Sequence, residues 1–211
     1  MPLILQHIGS HYRWAIWRIN ETPDELLVSL PQAESYQEAA GRFSSESRRR
    51  EWLAVRALLY TMLGERKDIA YSPDGKPYLK DGSALISISH TRDYAAVILG
   101  EKPLKEVGID IERYGERVRK VASRFMRNDE TACVYHGTDL WAQLLHWSCK
   151  ETMYKCLNEQ EVDFREHLRL FPFTLAEDGE IEAVEYKTSV QRRFCIRYRL
   201  HPDFVLTWTA F

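Results

Sequence analysis

Apolar and polar residues alternate in the first part of the chain, within residues 11–19. This two-residue period predicts a strand. A longer period follows, in which apolar residues recur at steps of three and four and form a stripe that we expect to be buried: Trp52, Val55, Leu59 and Met62. The stripe predicts a helix over 45–63, capped by Ser44 or Ser45 and ended by Gly64.

The rest of the pattern divides the chain into two parts. Turn formers follow around 20–23 and at Pro31, and Ser72-Pro73-Asp74-Gly75 predicts a turn. Further strands are expected at 77–80, 85–89, 94–99, 106–112, 169–175, 181–187, 192–200 and 204–211, and helices at 117–126 and 139–157. This order predicts an α+β fold made of two halves of similar size that meet near residues 100–105.

Composition narrows the class of protein. The 211 residues carry a net charge of −2, which argues against a nucleic-acid-binding protein. No apolar run reaches the ~20 residues that span a bilayer, and the first residues lack the pattern of a signal peptide, so we expect a cytoplasmic protein. The four cysteines form no Cys-x-x-Cys pair, which favours reduced thiols over a zinc site.

Two acidic residues stand at alternate positions of the strand expected at 106–112. Asp110 and Glu112 should project from one face of that strand, and Ile109 and Ile111 should face the core. Paired carboxylates repel each other unless a cation holds them, and their oxygens suit Mg²⁺. An edge strand with two solvated acids is the alternative.

The helix expected at 139–157 carries a second charged group. Glu151 and Lys155 are four residues apart and share a helix face, whereas Lys150 lies about 100° to one side of Glu151. A carboxylate between two lysines stays ionised, so it can bind a metal or, when desolvated, act as a base. An exposed, salt-bridged helix face is the alternative.

Three upstream groups have the chemistry of phosphate ligands. They are Ser87-Ile88-Ser89-His90, the turn Gly75-Lys76-Pro77, and the arginines Arg48, Arg49, Arg50 and Arg56. Hydroxyls, imidazole and guanidinium groups all bind phosphate oxygens. A polar strand end, a hairpin turn and a solvated helix end are the alternatives.

In this order and at these separations, the motifs resemble those of the phosphopantetheinyl transferase superfamily, over about 49–155. The chain is most similar to its larger, two-lobed, monomeric type, typified by the surfactin-synthetase-activating enzyme. The two signature motifs are Gly108-Ile109-Asp110-Ile111-Glu112 and Trp147-x-x-Lys150-Glu151-x-x-x-Lys155. Thr152 departs from the family pattern, which has alanine or serine there.

The resemblance implies a fold with two similar α/β lobes related by a pseudo-twofold axis, each with a small, mainly antiparallel sheet packed on a long helix. The lobe of 1–103 would bind nucleotide phosphates, and that of 104–211 would hold the metal site and the catalytic helix. The implied activity is that of a holo-acyl-carrier-protein synthase, which transfers 4'-phosphopantetheine from coenzyme A to a carrier serine and releases 3',5'-ADP. A non-catalytic coenzyme A-binding module and a metal-dependent phosphodiesterase stay open as alternatives.

The resemblance also assigns roles to single residues. Asp110, Glu112 and Glu151 would hold Mg²⁺, while Lys150 and Lys155 would neutralise the pyrophosphate, and Glu151 would also act as general base. The other implied coenzyme A contacts are Arg49, Arg50, Arg56, Lys76, Pro77, Ser89 and His90.

The implied partners are coenzyme A and an apo acyl carrier protein or a peptidyl or polyketide carrier domain, with no nucleic acid or membrane and with the enzyme as a monomer. We place the candidate carrier contact on residues 117–127, with Val118, Val121, Phe125 and Met126. A helix packed on the core is the alternative for this segment.

Overall fold

The computed structural model describes residues 2–157 and 159–211. The chain forms two compact units, Met1–Lys105 and Glu106–Phe211. Both combine antiparallel sheets with helices, which confirms the predicted α+β class; the pseudo-twofold relation stays a prediction. Within the described ranges, no helix has the length and apolar character that a bilayer crossing requires.

The first unit contains a four-stranded antiparallel sheet and a separate hairpin. Its strands are β1 (Leu3–Ile8), β2 (Tyr12–Arg18), β3 (Ile69–Tyr71), β4 (Pro77–Leu79), β5 (Leu85–Thr91) and β6 (Tyr94–Gly100). Its helices are α1 (Pro23–Val28), α2 (Ala33–Ala40) and α3 (Glu46–Leu63). The sheet order is β1-β2-β6-β5, while β3 pairs with β4, and α3 packs against β2 and β6.

Helix α3 begins and ends at the predicted residues. The Ser45 side chain accepts a hydrogen bond from the Arg48 amide, and Gly64 adopts the left-handed conformation at the other end, with φ 71°. Val55 and Leu59 of the predicted stripe are buried. Arg56, one of the candidate phosphate ligands, is only 5% exposed.

Helix α1 lies between the turn formers expected around 20–23 and at Pro31, and it was not predicted from the sequence. Thr22 and Glu25 form a reciprocal capping box, and Pro23 stands in the first turn, where it costs no helical hydrogen bond. The sequence therefore contains a helix-start signal at this point. Because the helix has only six residues, no apolar periodicity accompanies that signal.

The second unit is a five-stranded antiparallel sheet covered by one long helix. Its strands are β7 (Val107–Arg113), β8 (Leu168–Leu170), β9 (Asp178–Glu185), β10 (Arg193–His201) and β11 (Phe204–Ala210), in the order β7-β11-β10-β9-β8. Its helices are α4 (Ala122–Phe125), α5 (Leu140–Cys156) and α6 (Phe164–His167), with a 3₁₀ helix at Glu116–Lys120. Helix α5 packs against β7 and β11.

The helix expected at 117–126 is interrupted. Val121, with φ −119° and ψ 0°, separates the 3₁₀ helix from α4. Val118 and Phe125 are buried in the core around α5, so they are not available for the carrier contact that we expected on this segment. The strand expected at 169–175 is also shorter, since β8 ends at Leu170.

Close packing of α5 on β7 explains the glycine of the first signature motif. A Cβ on Gly108 would lie 2.6 Å from Sγ of Cys156 and 2.7 Å from the carbonyl oxygen of Thr152, which is closer than real atoms approach. Helix α5 therefore covers the face that carries Gly108 and the acids. Ile109 and Ile111 are fully buried, as expected, on the opposite face of β7.

Candidate active site

A polar stripe on α5 faces β7. Its members follow the three- and four-residue spacing of a helix face: Ser148, Glu151, Thr152 and Lys155. Such a stripe would be costly against a sheet of apolar side chains. Here it meets Asp110 and Glu112, so the two signature motifs form one polar interface inside the second unit.

Asp110 is the centre of this interface. It is 3% exposed, and hydrogen bonds reach both of its carboxylate oxygens. Lys155 donates to Oδ1 at 2.8 Å, and the Ser148 hydroxyl donates to Oδ2 at 2.7 Å. Lys155 also donates to the carbonyl oxygen of Ile109 at 2.8 Å. These bonds compensate the buried carboxylate for the water it has lost.

A chain of buried hydroxyls supports Ser148. Thr207 lies opposite Asp110 in the pairing of β11 with β7, and its Oγ1 is 2.8 Å from Oγ of Ser148. The hydroxyl of Thr152 is 2.7 Å from the same Thr207 oxygen. Thr152, the departure from the family pattern, thus extends a hydrogen-bonded network that an alanine would shorten.

Glu112 and Glu151 are less well paired. Trp147 donates its indole N–H to Oε1 of Glu112 at 2.6 Å. Burial, and after it the charge of Asp110, raises the pKa of Glu112 to about 7. The same two causes, in the same order, raise the pKa of Glu151 to about 7. Both groups can therefore change protonation near neutral pH.

The three carboxyls have the chemistry of a magnesium site but not its arrangement in this conformation. All three supply hard oxygen ligands, and their mutual repulsion is the feature that a divalent cation relieves. Within residues 2–157 and 159–211, however, no three His, Cys, Asp or Glu side chains are close enough to hold a metal ion. The donor set fits Mg²⁺ once the Lys155 ammonium has moved away from Asp110.

Lys150 is not part of this cluster. Its side chain is fully buried, and Nζ donates to Oε2 of Glu130 at 2.7 Å and to the carbonyl oxygen of Phe125 at 2.6 Å. The other oxygen of Glu130 accepts from the Leu170 amide at 2.8 Å. Burial lowers the pKa of Lys150. The predicted contact of Lys150 with the pyrophosphate disagrees with this position. Here Lys150 ties α5 to the end of α4 and, through Glu130, to the end of β8.

The first unit brings some of the predicted phosphate ligands together. His90 Nδ1, at the end of β5, lies 3.4 Å from a carboxylate oxygen of Glu51 on α3. On the same helix, Arg50 lies 3.9 Å from Asp93, in the turn between β5 and β6. Arg50 and His90 are both partly exposed. Arg49, next to Arg50 on α3, is also partly exposed.

The remaining predicted ligands are more dispersed. Ser89 is 6% exposed and, because side chains alternate along β5, points to the face opposite His90. Lys76 and Pro77 are partly exposed where the turn enters β4, a strand that packs against β5. Arg56 is buried with its guanidinium 3.5 Å from the ring centroid of Trp52, and burial lowers its pKa. The structure therefore does not bring Arg56 to a phosphate-binding surface.

Several residues of the site were missed by the sequence analysis. Ser148 had a usable signal, since it stands one helical turn before Glu151 and Thr152. Thr207 and Glu130 had none, because only strand pairing and loop packing bring them to Asp110 and Lys150. The hydrogen bond of Trp147 to Glu112 likewise joins positions 35 residues apart.

Comparison with known proteins agrees with the geometry. Residues 106–209 match the model of the 4'-phosphopantetheinyl transferase superfamily, and this range covers almost all of the second unit. No curated protein sequence matches the chain significantly. The unit that carries the acidic cluster belongs to the 4'-phosphopantetheinyl transferase superfamily, which confirms the family predicted from the motifs.

Proposed function

We propose that this protein transfers 4'-phosphopantetheine from coenzyme A to a serine of an apo acyl carrier protein or a peptidyl or polyketide carrier domain. The observation that carries the proposal is that Asp110 and Glu112 on β7 face Glu151 and Lys155 on α5. This arrangement lies in the unit that matches the family model. The two-lobed, monomeric, cytoplasmic type of enzyme is part of the same proposal.

Asp110, Glu112 and Glu151 are the residues that would hold Mg²⁺. When bound, the ion would offset negative charge on the pyrophosphate of coenzyme A. Lys155, on the same helix face as Glu151, supplies a positive charge for the leaving group. Lys150 is left out of this role because its ammonium is buried with Glu130.

The transfer is a displacement at the phosphorus that carries the pantetheine arm. The carrier serine oxygen forms a new P–O bond, the bond to the bridging oxygen breaks, and 3',5'-ADP leaves with the electron pair. Glu151 accepts the serine proton, directly or through a water. With its pKa raised to about 7, this carboxylate is a stronger base than an exposed glutamate and is still ionised in part at neutral pH.

The first unit would hold the nucleotide phosphates. Arg50 and His90 are the central candidates, with Glu51 and Asp93 fixing their side chains on α3 and at the end of β5. Arg49, Lys76, Pro77 and Ser89 keep the role that the resemblance implies. Arg56 instead stabilises α3 through its contact with Trp52 and its hydrogen bond to the Trp52 carbonyl.

The proposal is tested by intact-mass spectrometry of an apo acyl carrier protein after incubation with this protein, coenzyme A and Mg²⁺. We expect the carrier to gain the mass of one phosphopantetheinyl group, and 3',5'-ADP to appear in equal amount. A chelator should abolish both signals.

Other outcomes would support the alternatives. If several carriers gain no mass although calorimetry shows coenzyme A binding, the protein is a binding module. If instead a simple phosphodiester is hydrolysed in the presence of metal while the carriers stay unmodified, the phosphodiesterase alternative is correct.

A further inference from the structure

The contact between Lys155 and Asp110 has the form of a cation bound in a ligand site. Nζ of Lys155 lies 2.8 Å from Oδ1 of Asp110 and 2.8 Å from the carbonyl oxygen of Ile109. The Asp110 side chain is 4% exposed and that of Lys155 is 23% exposed. A carboxylate and a backbone carbonyl are also ligands of hard metal cations. The ammonium group thus binds the kind of oxygens that a metal ion would take.

This ammonium group and a metal ion at Asp110 are mutually exclusive on electrostatic grounds. The Ser148 hydroxyl donates to Oδ2 of Asp110, and the Lys155 ammonium is bound to Oδ1. A divalent cation there would lie within a few ångströms of the ammonium, in a pocket where burial weakens screening by water. One of the two positive charges must leave.

The side chain of Lys155 can move out of this contact, whereas that of Asp110 cannot. It stands in the last turn of α5, and its partly exposed side chain is long and flexible. Asp110 is held on a central stretch of β7 by strand pairing and by Ser148. Movement of the lysine therefore requires rotation about side-chain bonds alone.

We propose that Lys155 is an internal counter-ion that occupies the Asp110 end of the metal site in the metal-free protein and leaves it when a divalent cation and a polyphosphate bind. The inference rests on the metal site of the proposed function. Before ligands bind, the positive charge of the lysine offsets the mutual repulsion of the three neighbouring carboxyls. After the ligands bind, the lysine lies next to the polyphosphate, whose negative charge replaces that of Asp110 as its ionic partner.

The proposal predicts that one substitution has effects of opposite sign in two conditions. Without a polyphosphate, Lys155 competes with the metal, so Lys155→Met should tighten Mn²⁺ binding about tenfold. With coenzyme A present, the lysine and the metal bind the same anion together, so Lys155→Met should bind Mn²⁺ more weakly than wild type. If Lys155 had only a packing role, its substitution would not change Mn²⁺ affinity in opposite directions in the two conditions.

The test is a titration of the full chain with Mn²⁺, in which electron paramagnetic resonance measures the free ion, with and without coenzyme A. Lys155→Arg keeps the charge and should stay near wild type in the first condition. Lys187→Met removes a lysine that donates to the Glu161 carbonyl and should change neither condition. Equal or weaker Mn²⁺ binding by folded Lys155→Met without coenzyme A would overturn the proposal.

A second measurement uses the unaltered protein, in case the methionine variant does not fold. The ¹³Cε signal of Lys155, identified by its loss in Lys155→Arg, should move when Mg²⁺ saturates the site, because the ammonium leaves Asp110. A signal that stays in place at saturation would contradict the exchange. Neither measurement requires transfer to a carrier, so this inference and the proposed activity can fail separately.

Discussion

The indole N–H of Trp147 donates a 2.6 Å hydrogen bond to Oε1 of Glu112. Trp147 is the first residue of the second signature motif and Glu112 the last of the first, so the bond joins the two motifs end to end. It fixes one oxygen of a candidate metal ligand, as groups behind a metal ligand commonly do. The tryptophan ring also packs against Phe125 and Phe164, so it has a packing role as well.

Trp147→Phe separates these two roles, because it keeps a packed ring and removes the donor. We expect the Mg²⁺ concentration for half-maximal transfer to rise about tenfold, with a smaller effect on the KM for coenzyme A. Trp141→Phe on the same helix, where the ring packs against Tyr114, is the matched control. If Trp147→Phe lowers only the melting temperature and leaves the Mg²⁺ dependence unchanged, the hydrogen bond has no part in metal binding.

Gly108→Ala should destabilise the second unit. The added methyl group would overlap Sγ of Cys156 and the Thr152 carbonyl oxygen, and overpacking of this kind costs about 1–3 kcal/mol. Urea denaturation measures the change. The double variant Gly108→Ala/Cys156→Ala should recover only part of the loss, since the backbone carbonyl remains. Full recovery would show that the side chain, and not the close approach of α5, requires the glycine.

Lys150 and Glu130 should behave as a buried ion pair. Lys150→Met leaves a buried carboxylate without its partner, and we expect a loss of about 3–5 kcal/mol in unfolding free energy. The double variant Lys150→Met/Glu130→Gln should be more stable than Lys150→Met, because the amide is neutral and still accepts from the Leu170 amide. A Lys150→Met protein of normal stability with a greatly raised KM for coenzyme A would restore Lys150 as a pyrophosphate ligand.

The effect of Mg²⁺ on stability should depend on pH. Glu112 and Glu151 have folded pKa values of about 7, above the ordinary 4.5. The folded, metal-free protein therefore binds more protons than the unfolded chain, and these groups lower its stability as pH rises from 4.5 through 7. Mg²⁺ requires the ionised forms, so its binding should strengthen over the same interval.

Melting temperatures measured with and without Mg²⁺ at about pH 5.5 and about pH 8.5 test this dependence. The rise that Mg²⁺ produces should be small at the lower pH and larger at the higher one. Glu112→Gln should weaken the pH dependence, whereas Glu182→Gln, an exposed glutamate of β9, should not. A rise that is equal at both pH values would contradict the assignment of these carboxyls as ligands.

Long elements with clear end signals were predictable from sequence. Ser45 and Gly64 cap α3 as expected, and α5 falls within one or two residues of its predicted range. Short elements were not, because a helix of six residues such as α1 contains less than two apolar periods. The break at Val121 was also invisible, since tertiary packing decides it.

The acidic cluster was predictable because local periodicity places its members on one strand face and one helix face. The partners of the lysines and arginines were not. Lys150 and Arg56 look like surface cations in sequence, yet Glu130 and Trp52 hold them inside the units. A charged residue is buried only where a distant partner compensates it, and one sequence does not show which partner that is.

The most direct test compares initial rates of carrier modification by wild type, Glu151→Gln and Glu182→Gln, measured by intact mass at saturating coenzyme A and Mg²⁺. Glu151→Gln keeps the shape of the side chain but removes the ionised oxygen at the centre of the proposed site. We expect its rate to fall by a factor of about 10²–10⁴, with Glu182→Gln at the wild-type rate. A Glu151→Gln protein that modifies the carrier at the wild-type rate would contradict the proposed site.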